Sequence, residues 1–406
     1  MSKKIKSEIH IPLVDLVAQY KGIRKEIDKA IKGVVEKGKF IGGEEVKKFA
    51  VEFANIANTP FCVPCANGTD AIEIALTILG IRKGDEVIIP ALSFVATLEA
   101  VCNVGAKPVL CDIDPERMTM DALHVKKLIT EKTKAIIPVH LYGQMADMDP
   151  LMKLCKQHNL YLIEDAAQSH KAEYKGFHAG SMGDFGTFSF FPGKNLGAYG
   201  DAGAITMNDE EFHNKAFKMA NHGRISKYDH ESVGRNSRLD TLQAAILSVK
   251  AKHLEDWIKT KRKIAERYDN FFAQLGKDFP KSQIRWPKHY PESKSVYHLY
   301  VIRVDQSIRD GLRSFLESAG IETGVHYPIA LSKLKVTTDQ LKIRVDCPES
   351  EKASKEVISI PIYPELTKYQ QGYICYQINK YFSASTELST KPSESLTQKS
   401  PKKKKS

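Results

Sequence analysis

The run Tyr161-Leu162-Ile163-Glu164-Asp165-Ala166-Ala167-Gln168-Ser169-His170 and, a short interval later, Phe188-Ser189-Phe190-Phe191-Pro192-Gly193-Lys194-Asn195-Leu196-Gly197 decide how this chain is read. The first run is an apolar strand that ends on a carboxylate. Burying such a group is costly unless something cationic or protonated meets it. The second run is an aromatic strand followed by a lone lysine. Apolar neighbours strip an ammonium of hydration and favour the neutral, nucleophilic amine. Taken singly, Asp165 would be a strand cap and Lys194 a surface charge. The glycine-studded turn Tyr199-Gly200-Asp201-Ala202-Gly203 closes the segment.

Outward from this segment, apolar strand-like runs recur at residues 61–64, 87–90, 108–113, 135–139, 161–163, 186–191 and 202–207. Helical patterns at 70–79, 98–104, 121–129 and 149–158 separate the first five. Continuous apolar strands joined by helices specify an α/β fold with a mostly parallel sheet covered on both faces. Ligands of such sheets sit beyond the carboxyl ends of the strands. Asp165, Lys194 and the turn Cys65-Ala66-Asn67-Gly68-Thr69-Asp70 all fall there. In that turn Gly68 permits close backbone approach, and free helix N–H groups with the Thr69 hydroxyl can receive an anion. Ahead of the alternation, residues 13–37 read as an amphipathic helix for packing or subunit contact, and a second helix runs through 46–53.

At 406 residues the chain suits two domains. The formal charge is +11, of which the last 21 residues supply +4 through six lysines against two glutamates. No arginine-rich helix, zinc finger or basic-aromatic interleaving points to nucleic acid, and the basic body suits anionic ligands. The seven cysteines are odd in number and mostly in apolar contexts, which reads as reduced buried thiols. Cys62 and Cys65 form a C-x-x-C without the second ligand pair a zinc site needs, so no metal is expected. The N-terminus leads into no apolar signal core, and no run approaches a membrane span; the reading is a cytoplasmic protein. Past Ser383, Ser, Thr, Pro and Lys dominate, so a disordered tail is expected.

Pyridoxal 5'-phosphate requires both deciding groups, a lysine for a Schiff base and a carboxylate against its ring nitrogen. The runs from Glu164 to His170, Gly183-Asp184-Phe185-Gly186-Thr187-Phe188-Ser189-Phe190, and Pro192 to Gly197 resemble the DegT/DnrJ/EryC1/StrS sugar aminotransferases. The resemblance extends from about Ile11 to about Tyr381. It implies a fold type I pyridoxal enzyme, with a seven-stranded large domain at 1–249, a small C-terminal α/β domain at 250–382 and the basic tail at 383–406. By the same resemblance Lys194 and Asp165 are catalytic, Gly68, Thr69 and Ser189 seat the cofactor phosphate, and Phe94 stacks on its ring. Gln168 would bond its phenolic oxygen, and His170 would orient Asp165. Asn236 and Arg238, from an Asn-x-Arg, would reach into a neighbouring subunit of a homodimer, toward phosphate and an acidic substrate respectively. A structural salt bridge is the plain alternative for Arg238. His326 and Tyr327 match a substrate-side loop, although packing roles are equally open to them.

The resemblance also implies the reaction. Glutamate is the family's usual amino donor, and a nucleotide-linked keto sugar the acceptor. The run from Pro192 to Gly203 looks like the branch that acts on 3-keto sugars, since members acting on 4-keto sugars more often carry Glu-Gly-Gly at Asp201-Ala202-Gly203. The expected product is a 3-amino sugar nucleotide for lipopolysaccharide, lipid A or another surface glycan. Three alternatives stand beside it: 4-keto amination, a keto-sugar dehydratase that would lack the lysine, and a non-catalytic regulatory protein. One departure is Lys171, where the family usually has glycine.

Overall fold

The computed structural model describes residues 9–390. Its centre is a seven-stranded sheet built from β1 (Phe61–Cys65), β2 (Glu86–Pro90), β3 (Lys107–Cys111), β4 (Thr133–Ile136), β5 (Tyr161–Asp165), β6 (Phe185–Ser189) and β7 (Gly203–Met207), in the order β1-β7-β6-β5-β4-β2-β3. The pairs β6–β5, β5–β4, β4–β2 and β2–β3 are parallel. Only β7 runs the other way, antiparallel to both neighbours. This is the mostly parallel sheet expected from the alternating pattern.

Alternate strand residues feed two separate cores, as a pleat of period two requires. Ile88, Ile136, Leu162 and Phe188 face one layer, which contains Phe49 and Phe53 of α2 (Glu44–Ala57), Leu151 and Leu154 of α6 (Met148–His158), and Leu247 of α8 (Thr241–Ala251). Val87, Ile89, Ala135, Ile163 and Phe185 face the other layer. That layer holds Ile72 and Ala75 of α3 (Gly68–Ile78), Leu98 and Val101 of α4 (Val95–Asn103), and Ala216 of α7 (Glu210–Met219). Helix α5 (Ala122–Leu128) adds Val125 to the first layer. The amphipathic α1 (Leu16–Lys37) lays Ile23 and Ile27 against Ile246 and Val249 of α8.

A third core gathers the C-terminal part of the chain. It joins α9 (Leu254–Asp278), the two-stranded sheet of β8 (Tyr300–Arg303) and β9 (Val357–Ile360), α10 (Gln306–Ser318) and α12 (Lys368–Thr390), with α11 (Pro348–Glu356) leading into β9. Ile11 belongs to this core and bonds through its N–H to the Gly320 carbonyl at 2.8 Å, so the first described residues pack with the last.

Strand β8 begins at Tyr300, just past Tyr297, whose φ of +46° lies outside the extended region. One expectation is corrected here. The stretch from Ser383, expected to be disordered, continues α12 as far as Thr390. The rest of the tail, with its run of lysines, lies outside the described residues.

Candidate active site

Beyond the carboxyl ends of the parallel strands lies a cavity of about 660 Å³. Its wall includes Gly68, Thr69, Phe94, Asp165, Gln168, Ser189, Lys194, His326 and Tyr327, so most of the residues singled out by sequence converge on one space. Asn236 and Arg238 are absent from that wall; Asn236 is exposed in an excursion whose backbone bridges Asn221, and the buried Nε of Arg238 finds no partner.

Asp165 closes β5 and is 6% exposed. Its backbone is fixed on both sides, by Asp165 N to Pro138 O at 2.9 Å and His140 N to Asp165 O at 3.0 Å. Oδ2 accepts from Thr97 Oγ1 at 2.8 Å, and Oδ1 accepts from Ala167 N at 3.2 Å. Because Thr97 spends its proton on the carboxylate, Ser93 Oγ is the donor in its 3.0 Å contact with Thr97 Oγ1. Burial pushes the Asp165 pKa up, while Thr97, Ala167 N–H and the Lys194 charge oppose it. Thr97 had no assigned role in the sequence. It sits on the first turn of α4, and only the β2–α4 crossover carries it to a strand end 68 positions away.

The neighbouring Glu164 points to the opposite face of the strand. It is fully buried, accepts from the N–H groups of Gly180, Met182 and Gly183, and meets His140 Nε2 at 2.8 Å. His140 Nδ1 accepts from Ala146 N, so the ring's proton lies on Nε2 and is donated to Glu164. This network pins the strand end that presents Asp165.

Lys194 stands in the turn after β6, with its N–H on Phe191 O at 2.8 Å. Burial depresses its amine to about 8, with the Asp165 carboxylate pulling the other way. Among the described residues none hydrogen-bonds or ion-pairs with Nζ. The turn itself is held from outside. Asn195 Nδ2 donates to Val296 O at 2.9 Å, Asn195 Oδ1 accepts from Lys261 Nζ at 2.8 Å, and the buried Lys250 Nζ donates to Gly197 O at 2.7 Å.

Opposite Lys194, Asn67 caps α3 through Oδ1, which accepts from Asp70 N at 2.8 Å, and Ala71 N returns to Asn67 O. The N–H groups of Gly68 and Thr69 remain for an anion, at the positive end of the helix. A Cβ on Gly68 would stand 2.7 Å from Ser189 Cβ, so any larger residue would close this cradle. A cradle of amide donors, a buried carboxylate short of a cation and a depressed, unengaged amine fit the phosphate, ring nitrogen and carbonyl carbon of pyridoxal 5'-phosphate.

Gln168 is already engaged, accepting from Tyr142 N at 2.7 Å and donating to Tyr327 Oη at 3.1 Å. Phe94, 56% exposed, faces Tyr327 at 5.8 Å between ring centres. His326 Nδ1 contacts Ser359 Oγ at 2.8 Å; burial, then the Lys194 charge, lowers its pKa to about 4. His170 corrects the sequence reading. It does not touch Asp165 but lies against Phe53, Phe188 and Phe190, with both ring nitrogens lacking a hydrogen-bond partner. Burial drives its pKa down to about 3, so it is a neutral core residue.

His298 and Lys261 are among the other residues that line the cavity. The backbone of His298 packs against the turn at Gly143 (φ +97°), where a Cβ would meet His298 N at 2.7 Å. Lys261 comes from α9. Lys171 also finds its explanation. Its φ of +67° is the left-handed conformation that favours glycine, and its ammonium pairs with Glu255 at the start of α9.

The model of the DegT/DnrJ/EryC1/StrS aminotransferase family matches residues 21–379. The chain belongs to this family. It is a PLP-dependent sugar aminotransferase by fold, by its relatives and by the groups around its cavity. One relative of the aminotransferase, 43% identical over 92% of this chain and 99% of its own length, is the "Pleiotropic regulatory protein" of Geobacillus stearothermophilus. Another, from Pseudomonas aeruginosa, is a UDP-2-acetamido-2-deoxy-3-oxo-D-glucuronate aminotransferase, 40% identical over 90% of this chain and 98% of its own. Among solved structures, DesV of S. venezuelae in complex with a ketimine intermediate superposes with a TM-score of 0.88 at 38% identity, covering 92% of this chain and 98% of that one. Among the described residues of the aminotransferase, no helix is long and apolar enough to cross a membrane, and no cluster of His, Cys, Asp and Glu could hold a metal ion.

Proposed function

We propose that this aminotransferase moves the amino group of glutamate onto the C3 keto carbon of a nucleotide-linked hexose, yielding 2-oxoglutarate and a 3-amino sugar nucleotide. The observation that carries the reading is the convergence of Lys194 and Asp165 on one cavity, with an anion cradle at Gly68 and Thr69. In this reading Lys194 holds the cofactor's carbonyl carbon, Asp165 its ring nitrogen, and Gly68, Thr69 and Ser189 its phosphate. Phe94 would cover the ring, and Gln168, whose Nε2 keeps a second proton beside the one given to Tyr327, would serve the phenolic oxygen. When bound, the cofactor supplies an electron sink for the pair of electrons left when the donor's α-proton departs.

The chain's own residues do the rest. Once the donor's amino group replaces it at the carbonyl carbon, Lys194 Nζ, with its pKa depressed to about 8, would be partly neutral near physiological pH and could take the α-proton and return it. Asp165, held as an anion by Thr97 and Ala167, keeps a proton on the ring nitrogen. His326 and Tyr327 border the acceptor's side of the cavity. Support for a 3-keto acceptor comes from the Asp201-Ala202-Gly203 run and from the name of the Pseudomonas aeruginosa relative. The regulatory name of the Geobacillus relative suggests a second role, but a chain that had given up catalysis would have no need of Lys194 and Asp165 around an open cavity.

The proposed working form is a homodimer, in which Asn236 and Arg238 of one copy serve the other's cavity. Phe40, Ile41 and the cavity-lining Val14 and Phe191 are exposed in a single copy, which suits such an interface. A division into domains near residue 249, where α8 gives way to α9, accompanies this reading, as does a cytoplasmic setting. The test is incubation of the cofactor-loaded protein with glutamate and a panel of 3-keto and 4-keto nucleotide sugars, reading product mass and linkage by NMR. Amination at C3 is expected; amination at C4 alone overturns the regiochemistry.

A further inference from the structure

Lys261 is an ammonium-bearing side chain in a place that offers it little. It lies on α9, is 7% exposed, and among the described residues it forms no ion pair. Its Nζ donates to Asn195 Oδ1 at 2.8 Å and, more loosely, to His298 O at 3.3 Å. Asn195 follows Lys194 directly, and its other amide atom is committed to Val296 O at 2.9 Å. The residue beside the cofactor lysine is thus gripped at both ends of its side chain by the C-terminal part of the fold. Lys261 also lines two spaces at once, the 660 Å³ cavity and the narrow cleft behind the Lys194 turn.

A buried charge with no counter-ion costs several kcal/mol, and an apolar side chain at this position would avoid the cost. The titratable groups that share its two spaces are Lys194, Asp165, Asp201, His298, His326 and Tyr327 in the cavity and Asp15, Tyr363 and Glu365 in the cleft, of which Glu365 supplies the main favourable field. Burial brings the Lys261 pKa to about 7. Two amines with overlapping titration therefore sit on one cavity wall, joined through a single asparagine.

We propose that Lys261 is a positioning residue for Lys194: through its hydrogen bond to Asn195 it fixes the cofactor-bearing turn and with it the alignment of the Lys194 amine. The inference rests on Lys194 being the lysine that holds the cofactor.

The experiment uses the loaded enzyme and four variants, Lys261→Met, Lys261→Arg, Asn195→Ala and Lys194→Ala. The readouts are the visible band of the lysine-bound cofactor, which reports loading, and the single-turnover rate with glutamate alone. Both Lys261→Met and Asn195→Ala should slow the single turnover roughly tenfold while retaining cofactor, since loss of alignment costs rate. Lys261→Arg, which keeps a donor for Asn195 Oδ1, should recover most of that rate. Asn195→Ala keeps the test available if Lys261→Met fails to fold. An undiminished single turnover in Lys261→Met or in Asn195→Ala, or a Lys261→Arg enzyme no faster than Lys261→Met, overturns the inference alone. A visible band that survives Lys194→Ala overturns the underlying assignment as well.

Discussion

Thr97→Val isolates the contribution of the hydroxyl that holds Asp165. Valine matches the shape of threonine, so the change removes one donor and little volume. The lost contact is the 2.8 Å hydrogen bond from Thr97 Oγ1 to Asp165 Oδ2, inside a strand end that is 6% exposed. Hydrogen bonds to charged groups contribute about 1.5–3 kcal/mol. The loss falls unevenly on the two forms of the enzyme. Without cofactor, Asp165 can relieve it by taking a proton, because burial has already raised its pKa. With cofactor, Asp165 must remain an anion opposite a protonated ring nitrogen, and among the described residues the 3.2 Å contact from Ala167 N is the one hydrogen bond from the protein left to its carboxylate. Most of the loss therefore appears as cofactor affinity, a rise in Kd of roughly 10- to 100-fold. Titrating apoenzyme with pyridoxal 5'-phosphate by absorbance measures it, and Thr97→Ser, which keeps the hydroxyl, should stay within about threefold of the parent. A folded Thr97→Val protein that binds as tightly as the parent would refute the role given to this hydroxyl.

Three other predictions follow from the same contacts. At position 171, glycine should be more stable than alanine by about 1 kcal/mol in denaturant melts, since both lose the Glu255 ion pair but only glycine relieves φ +67°; alanine at or above glycine would contradict that reading. Lys250, fully buried with a pKa lowered to about 8, is charged at neutral pH in both folded and unfolded chains and pays for burial only when folded. That penalty is relieved as pH rises from about 8 toward the free-lysine value near 10.4, so apoprotein Lys250→Met should gain less in Tm than the parent between pH 8 and 10. A mixture of Lys194→Ala and Arg238→Ala subunits, each inactive alone, should recover activity on exchange if sites are shared; no recovery in confirmed mixed dimers would place Arg238 in its own subunit's site.

The sheet was legible because its strands are buried on both faces and so read as unbroken apolar runs, such as Val87 to Pro90, between helical patterns. The pair Asp165 and Lys194 was legible because each ends or follows a strand in a run with little other charge. Thr97 was not, since nothing local tells a threonine in the first turn of a helix that a carboxylate will arrive from the other end of a crossover. Lys261 left a trace that could have been used. It falls in register with Leu254, Ile258, Ala265 and Tyr268 on the buried face of α9, unlike its exposed neighbours Lys259 and Lys263. His170 misled because proximity in sequence to Asp165 suggested contact, whereas the turn at Ala166–Ser169 sends its ring back into the aromatic layer. The left-handed backbone at Lys171 was concealed by a residue type that seldom adopts it.

The central claim is that Lys194, and no other lysine, bears the cofactor. Three lysines whose pKa is depressed by desolvation compete for that role on physical grounds: Lys194, Lys250 and Lys261. Reducing the loaded enzyme with borohydride converts the lysine–cofactor bond to a stable amine, which peptide mass spectrometry then locates. The account predicts the pyridoxyl mass on the peptide containing Lys194. Finding it on Lys250 or Lys261, or finding no labelled lysine in a fully loaded enzyme, would contradict it.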